Sequence, residues 1–317
     1  MTVLEPTEGF VEANGVRLHW LRWGAEGDGG RPPVLLLHAT GFLARLWQPV
    51  AEALAPRYTV WAIDTRGHGD SMIVDSSQMK VGRGSHQRSA DSRQLSAYHW
   101  MRFVEDVVGF MDAFGLRGIP VMGHSAGGAT AGYVAATRPV YVSRLVMIEP
   151  IMRPPGLETV SARPHSLADG ARKRRLVWAS REEMIASYQR KETFAAWRPD
   201  VLRLYAEQGT RRLEGGDAVS GPFELKCWGE VEAQVFENSA TLDLWERLPE
   251  IGCPTLVMRG EKTEGFLGMV AGGAAERIPG ARLETVEGAG HLAPMERPGV
   301  VAEMMLAWLE AEEGSKR

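Results

Sequence analysis

The segment Gly123-His124-Ser125-Ala126-Gly127-Gly128 constrains the chain most, because it places a serine between a strand pattern and a helix pattern. The apolar run 119–122 precedes it, and small, helix-favouring residues follow over 129–136. A strand-turn-helix corner strains the serine backbone, which small neighbours must tolerate, and holds the hydroxyl clear of the sheet. The first N–H groups of the helix face the same point. The segment therefore predicts Ser125 as a nucleophile and the Ala126 N–H as a donor to an oxyanion.

Composition and charge favour a large α/β protein and argue against a nucleic-acid-binding one. Its 317 residues, 44% hydrophobic and 24% charged, suffice for one large α/β domain with an insert. The net charge of −4 and the lack of a basic face with interleaved aromatics argue against a nucleic-acid partner. The densest basic run, 172–175, is predicted to be a solvated face.

The expected location is the cytoplasm, with no membrane partner. The N-terminal residues lack a signal-peptide pattern, and no apolar run reaches the roughly 18 residues that a membrane span needs. Cys227 and Cys253 have neither metal-ligand spacing nor a disulfide framework. We therefore expect no metal, and we also expect no cofactor. The expected partner is a small-molecule substrate, and the candidate assembly is a homodimer.

A second oxyanion donor is predicted at the end of another strand. The apolar run 34–37 has the pattern of a strand buried on both faces and ends in His38-Ala39-Thr40-Gly41-Phe42. Backbone N–H groups in such a loop can bind an oxyanion, and we assign this role to Thr40. His38 is interpreted as a structural hydrogen-bonding residue, and Asp64 and Arg66 as scaffolding of the next turn. The polar stretch 76–93 is interpreted as a loop near the site entrance.

A change of pattern marks an insert. From 151 to about 243 the sequence becomes helical, with Pro and Gly between the helices, and strand patterns stop. We predict a helical cap over 151–243, inserted into a core formed by 1–150 and 244–317. The aromatic residues of the cap are interpreted mostly as its own core, with one or two lining a substrate pocket.

A histidine and an acid complete the predicted site. His291 lies in a Gly-rich loop after the last strand pattern, 282–286, from which it can reach a serine at the carboxyl edge of the sheet. A carboxylate must orient it. Glu149 follows the strand pattern 144–148, and Glu264 or Glu261 follows the pattern 254–258, so either choice gives the order serine, acid, histidine. His124 is predicted to point away from the nucleophile by strand alternation.

The ordered set of motifs resembles the α/β-hydrolase superfamily. It consists of H-A-T-G-F, D-T-R-G-H-G-D-S, G-H-S-A-G-G, I-E-P, P-T-L-V-M-R-G-E and G-A-G-H. The resemblance implies an α/β fold with an eight-stranded, mostly parallel sheet and a Ser-His-acid triad beneath a cap. The chain departs from the family at Ala39, where Gly is usual, and at Thr263-Glu264, where an Asp is usual. Glu149 stands where haloalkane dehalogenases and zearalenone hydrolases place their acid, which favours Glu149 over the alternative Glu264.

The expected activity is hydrolysis of a carboxylic ester or lactone through an acyl-enzyme. The aromatic-rich cap suggests a bulky apolar substrate, and a zearalenone-type lactone is one candidate. Dehalogenases and epoxide hydrolases of this fold have Asp at the corner, so Ser125 argues against those activities. Carbon–carbon bond hydrolysis and acyl transfer or perhydrolysis use the same triad and remain alternatives. A receptor-like ligand-binding protein with little turnover is the alternative from another class.

Overall fold

The computed structural model describes residues 4–24, 30–73, 97–155, 164–213, 221–239 and 241–313, and the loop predicted over 76–93 lies outside these ranges. The strands are β1 (Thr7–Ala13), β2 (Val16–Trp23), β3 (Pro33–Leu37), β4 (Thr59–Ile63), β5 (Met72–Ile73), β6 (Ile119–His124), β7 (Val142–Ile148), β8 (Val177–Trp178), β9 (Thr210–Arg212), β10 (Phe223–Leu225), β11 (Thr255–Gly260) and β12 (Arg282–Val286). The α-helices are α1 (Gln48–Leu54), α2 (Trp100–Ala113), α3 (Ala126–Thr137), α4 (Pro164–Arg172), α5 (Arg181–Gln189), α6 (Glu192–Ala195), α7 (Pro199–Gln208), α8 (Gly229–Glu237), α9 (Leu244–Arg247), α10 (Gly265–Arg277), α11 (Ala293–Glu296) and α12 (Pro298–Glu313). Short 3-10 helices cover Ala44–Trp47, Pro139–Tyr141 and Leu248–Glu250.

The central sheet has the order β1-β2-β4-β3-β6-β7-β11-β12, with the short β5 paired to β2. β1 and β2 are antiparallel to their neighbours, and the six strands from β4 to β12 are parallel. The predicted eight-stranded, mostly parallel sheet is confirmed, and β5 is an addition to it. Because parallel strands end at one edge, the loops after β3, β6, β7, β11 and β12 all leave the sheet on the same side.

Helices cover both faces of the sheet. The larger apolar cluster joins one face to α2, α3 and α10, and a second cluster joins the other face to α1 and α12. This cover on both sides explains why the residues of β3 form a continuous apolar run rather than an alternating one. Among the described residues, no helix combines the length and apolar composition needed to cross a bilayer.

The insert between β7 and α9 is not wholly helical. It contains α4 to α8, but it also contains a three-stranded antiparallel sheet in the order β8-β10-β9. The expectation that strands stop after residue 151 is therefore wrong. These strands have only two or three residues each, which is too short for alternation to distinguish them from loops.

The insert, which we call the cap for brevity, and the core share one apolar cluster, which we call the joint cluster. It combines Ala39, Phe42, Leu43 and Leu46 of the core with cap residues of α5, α7, β8 and β10, and with Leu292 and Met295 beyond His291. The Phe42 ring lies 5.3 Å from the Trp197 ring and 5.6 Å from the Tyr205 ring. Four of the eight aromatic residues in 151–243 are buried in this cluster and Phe194 packs against it, whereas Trp228 is 47% exposed.

Candidate active site

Ser125 occupies the corner between β6 and α3 in a left-handed conformation, with φ 56° and ψ −115°. This conformation is rare for a residue with a side chain. Its N–H donates to the Ile148 carbonyl at 2.9 Å, which ties the corner to β7. A Cβ at Gly127 would lie 2.3 Å from the Leu37 carbonyl oxygen, so the corner needs small residues, as predicted from the sequence.

The structure brings three of the predicted side chains into a hydrogen-bonded chain. His291 Nε2 lies 3.2 Å from Ser125 Oγ, and His291 Nδ1 lies 3.1 Å from Glu149 Oε2. In the tautomer that this arrangement favours, Nδ1–H donates to the carboxylate and Nε2 accepts from the serine hydroxyl. His291 is thus placed to remove a proton from Ser125.

Glu149 is held rigidly at the end of β7. Its backbone has φ 49°, and its side chain is fully buried. The second carboxylate oxygen, Oε1, accepts a hydrogen bond from the Gly260 N–H at 2.5 Å. A Cβ at Gly260 would lie 2.4 Å from the Gly290 carbonyl oxygen, so glycine allows β11 and the histidine loop to approach each other.

The alternative acids lie elsewhere. Glu264 is exposed at the N-terminus of α10, and within the described part of the chain it makes no hydrogen bond to His291. Glu261 Oε2 accepts from the Gly288 N–H at 2.8 Å and so helps to fix the histidine loop. The geometry therefore favours Glu149 as the partner of His291.

Thr40 and Ala126, the residues of the two predicted oxyanion donors, line one small cavity together with Gly127. Ala126 is the first residue of α3, so its N–H has no acceptor within the helix. In the loop after β3, the Gly41 N–H donates to His68 Nε2 at 3.0 Å, and the Phe42 N–H donates to the Ala39 carbonyl at 3.3 Å. The Thr40 N–H has no such partner among the described residues and is left available.

Buried histidines support this loop. His38 Nε2 accepts from the Thr65 N–H at 3.0 Å, and Nδ1 donates to the Ala39 carbonyl at 2.8 Å. Burial lowers the pKa of His38 and, with His38 nearby, lowers the pKa of His68 to about 3. Both rings are neutral at pH 7, so each can accept a backbone N–H. His38 has the structural position predicted for it, whereas no role is predicted for His68 from the sequence.

The turn after β4 is a scaffold, and Asp64 and Arg66 both bind partners on other elements. Arg66 binds Asp106 of α2 through Nε at 2.7 Å and Nη2 at 2.6 Å. Asp64 accepts from His19 Nδ1 at 2.8 Å and from the Ala44 N–H at 2.7 Å. Of the described residues, His19, Asp64 and Asp70 alone come close enough to suggest a metal site, but Lys226 Nζ lies 2.5 Å from Asp70 and neutralises it. Hydrogen bonds and an ion pair thus account for these groups.

His124 contacts the histidine loop from below. Its Nε2–H donates to the His291 carbonyl at 2.7 Å, and the two rings lie 5.4 Å apart. Burial and the nearby His291 lower the pKa of His124 to about 3, so the ring is neutral. Strand alternation indicates only that the His124 side chain points away from Ser125. No local sequence pattern indicates that the loop carrying His291 lies against this ring.

Comparisons with known proteins agree with the fold. The model of the alpha/beta hydrolase family matches residues 34–304. N-formylmaleamate deformylase of Pseudomonas putida is 25% identical over 91% of this chain and 91% of its own length. The crystal structure of E-2-(acetamidomethylene)succinate hydrolase superposes with a TM-score of 0.75 at 18% identity, covering 96% of this chain and 100% of that one. The enol-lactonase of Burkholderia xenovorans LB400 superposes with a TM-score of 0.65 at 22% identity, covering 95% and 99%.

Proposed function

Because this chain belongs to the α/β-hydrolase family, we propose that it is a serine hydrolase that cleaves a carboxylic ester or lactone through an acyl-enzyme on Ser125. The observation that carries the proposal is the hydrogen-bonded chain from Ser125 Oγ through His291 to Glu149, at 3.2 and 3.1 Å. A buried carboxylate on the far side of the imidazole stabilises the imidazolium that forms during catalysis.

Each group has a defined step in this proposal. His291 Nε2 takes the Ser125 proton as Oγ attacks the acyl carbon, and the carbonyl oxygen becomes an oxyanion facing the Thr40 and Ala126 N–H groups. His291 then gives the proton to the leaving alkoxide, and the acyl group remains on Ser125. A water molecule, deprotonated by the same imidazole, releases the carboxylic acid and restores the serine.

Two features bear on the substrate of this proposal: the aromatic content of the cap and the position of Glu149. The proposed ester or lactone is bulky and apolar, and the position of Glu149 supports a zearalenone-type lactone by analogy. Burial of four of the eight cap aromatics in the joint cluster reduces the weight of aromatic content as a guide to substrate size. The position of the acid is therefore the stronger of the two arguments.

Amide hydrolysis is a second candidate, favoured by the Pseudomonas putida relative. That protein is named for removing a formyl group from an amide, and it aligns with nine-tenths of this chain. Attack on an amide uses the same serine, histidine and oxyanion donors, with the leaving nitrogen protonated in place of the alkoxide oxygen.

The first test is covalent labelling of the wild-type protein by a fluorophosphonate probe, with Ser125→Ala as the control. We expect labelling of the wild type alone. Product formation is then followed by chromatography for short and long p-nitrophenyl esters, small lactones, zearalenone and N-formyl amides. Turnover of an ester or lactone supports the first candidate, and turnover of amides alone supports the second. A wild type that is neither labelled nor active contradicts the serine hydrolase proposal.

A further inference from the structure

Arg174 lies at the centre of the cap rather than on a solvated face. The sequence-based expectation for the run 172–175 is wrong at this position, because the Arg174 side chain is only 11% exposed. Its Nη1 donates to Glu232 Oε2 at 2.5 Å, its Nε donates to the Tyr188 hydroxyl at 3.2 Å, and its Nη2 binds the Tyr205 hydroxyl. One cation therefore connects α5, α7 and α8.

Tyr205 continues this connection to the loop after β3. Its hydroxyl lies 3.2 Å from the Gly41 carbonyl oxygen. A guanidinium only donates hydrogen bonds, so the tyrosine oxygen accepts from Arg174 and its one proton is free for Gly41. Burial raises the pKa of Tyr205, which keeps that proton in place at neutral pH.

The loop needs such fixing because Gly41 is conformationally permissive. Gly41 has φ 82°, and a Cβ there would lie 2.4 Å from Glu232 Oε1. Without a side chain, hydrogen bonds rather than sterics must hold its two peptide groups. The core supplies the acceptor for its N–H through His68, and the cap supplies the donor for its carbonyl through Tyr205.

The geometry points to Tyr205 as a positioning residue for the oxyanion hole, a role that rests on the proposed serine hydrolase function. By holding the Gly41 carbonyl, Tyr205 limits rotation of the neighbouring peptide groups and so fixes the direction of the Thr40 N–H beside the cavity that Thr40 and Ala126 line. The cap thereby takes part in catalysis without touching the substrate.

The chain offers a matched control. Tyr188→Phe and Tyr205→Phe each remove one hydroxyl that Arg174 contacts, but only Tyr205 also contacts the loop. We compare the two variants by the rate of Ser125 phosphonylation at saturating fluorophosphonate, in which Oγ–P forms, P–F breaks and His291 takes the serine proton. The negative charge that develops on the phosphoryl oxygen uses the same oxyanion donors. Thermal unfolding measures the structural effect of each change.

We expect Tyr205→Phe to phosphonylate about tenfold more slowly, which corresponds to a loss of about 1.4 kcal/mol, with an unchanged half-saturating probe concentration and an unchanged pH profile. Tyr188→Phe should remain within about twofold of the wild type while losing similar thermal stability. Equal rates in the two variants overturn the inference and leave the hydrolase proposal intact. A wild type that the probe does not label contradicts the proposed function, and the inference with it.

Discussion

At the scale of single residues, the position of Glu149 depends on an unusual backbone conformation. A φ of 49° turns the side chain from the end of β7 towards the histidine loop, and the Ser125 and Glu149 corners both lie in the left-handed region. Non-glycine residues seldom adopt this region unless the surrounding structure holds them there. Here the Gly260 N–H and the His291 ring supply the restraint.

We predict that Glu149→Ala lowers kcat by about 10³- to 10⁴-fold, because an unoriented His291 loses both its tautomer and the stabilisation of its imidazolium. Glu264→Ala is the matched control and should change kcat by less than about twofold, since this exposed side chain makes no hydrogen bond to His291 in the described structure. Steady-state kinetics on the best substrate of the panel measure both. The reverse pattern would transfer the role of the acid to Glu264.

His124 should influence the rate through the backbone of His291. In His124→Phe the His291 carbonyl loses its donor at 2.7 Å, and we expect kcat to fall about tenfold with little change in KM. His124→Gln retains an N–H donor and should recover part of the loss. An unchanged kcat in a folded His124→Phe protein would show that the loop is held without this bond.

At the scale of elements, the close approach of α3 to β3 fixes the corner. A Cβ at Gly127 would lie 2.6 Å from the Leu37 carbonyl carbon and 2.7 Å from the His38 oxygen, both backbone atoms that cannot yield. Gly272 of α10, by contrast, has nothing within 4 Å of its added Cβ. The same substitution therefore has opposite consequences in two helices.

We predict that Gly127→Ala destabilises the protein by about 3 kcal/mol or more, because the helix must move away from the sheet. Gly272→Ala should stabilise it by roughly 0.5–1 kcal/mol through the better helix propensity of alanine. Urea unfolding followed by circular dichroism measures both. Equal stabilities of the two variants would contradict the tight packing at the corner.

The elements that the sequence predicts well are those with strong local signals. Asn14-Gly15 predicts the opening hairpin, and the register pairs Ala13 with Val16 across that two-residue turn. The boundaries of β12 coincide with the predicted strand pattern 282–286. The short strands of the cap give no such signal, since β8 has two residues and its partners come from distant parts of the chain.

The site residues likewise divide into those that local motifs predict and those that only the fold reveals. Motifs beside predicted strands point to Ser125, His291 and Glu149, with Thr40 and Ala126 as oxyanion donors. The groups that hold them cannot be found from local patterns, because His124 is 167 residues from His291 and Tyr205 is 164 residues from Gly41. Only the folded topology brings these pairs together.

At the scale of the whole molecule, three neutral histidines lie buried around the site. Burial lowers the pKa of His38, and it lowers the pKa values of His68 and His124 to about 3. Below the ordinary histidine pKa of 6.5 the unfolded chain binds protons that the native state does not bind. The free energy of unfolding should therefore fall as the pH is lowered from about 6.5 towards 3.

His68 and His124 should each contribute a slope of about 1.4 kcal/mol per pH unit across that window. In His68→Gln one such group is lost, while the glutamine oxygen can still accept from the Gly41 N–H. We expect a correspondingly shallower dependence between about pH 4 and pH 6, measured by urea unfolding at several pH values. The same slope in variant and wild type would mean that His68 is protonated in the native state.

The joint cluster also determines which segments of this protein can be exchanged with those of a relative in a chimaera. Along the chain the insert begins after β7 and ends before α9, but in space its apolar surface continues into Phe42, Leu292 and Met295. A chimaera that exchanges the insert alone would set those three side chains against a foreign surface. To keep a working site, a chimaera must therefore transfer these three residues together with the insert. The segment to exchange then includes parts of two core loops.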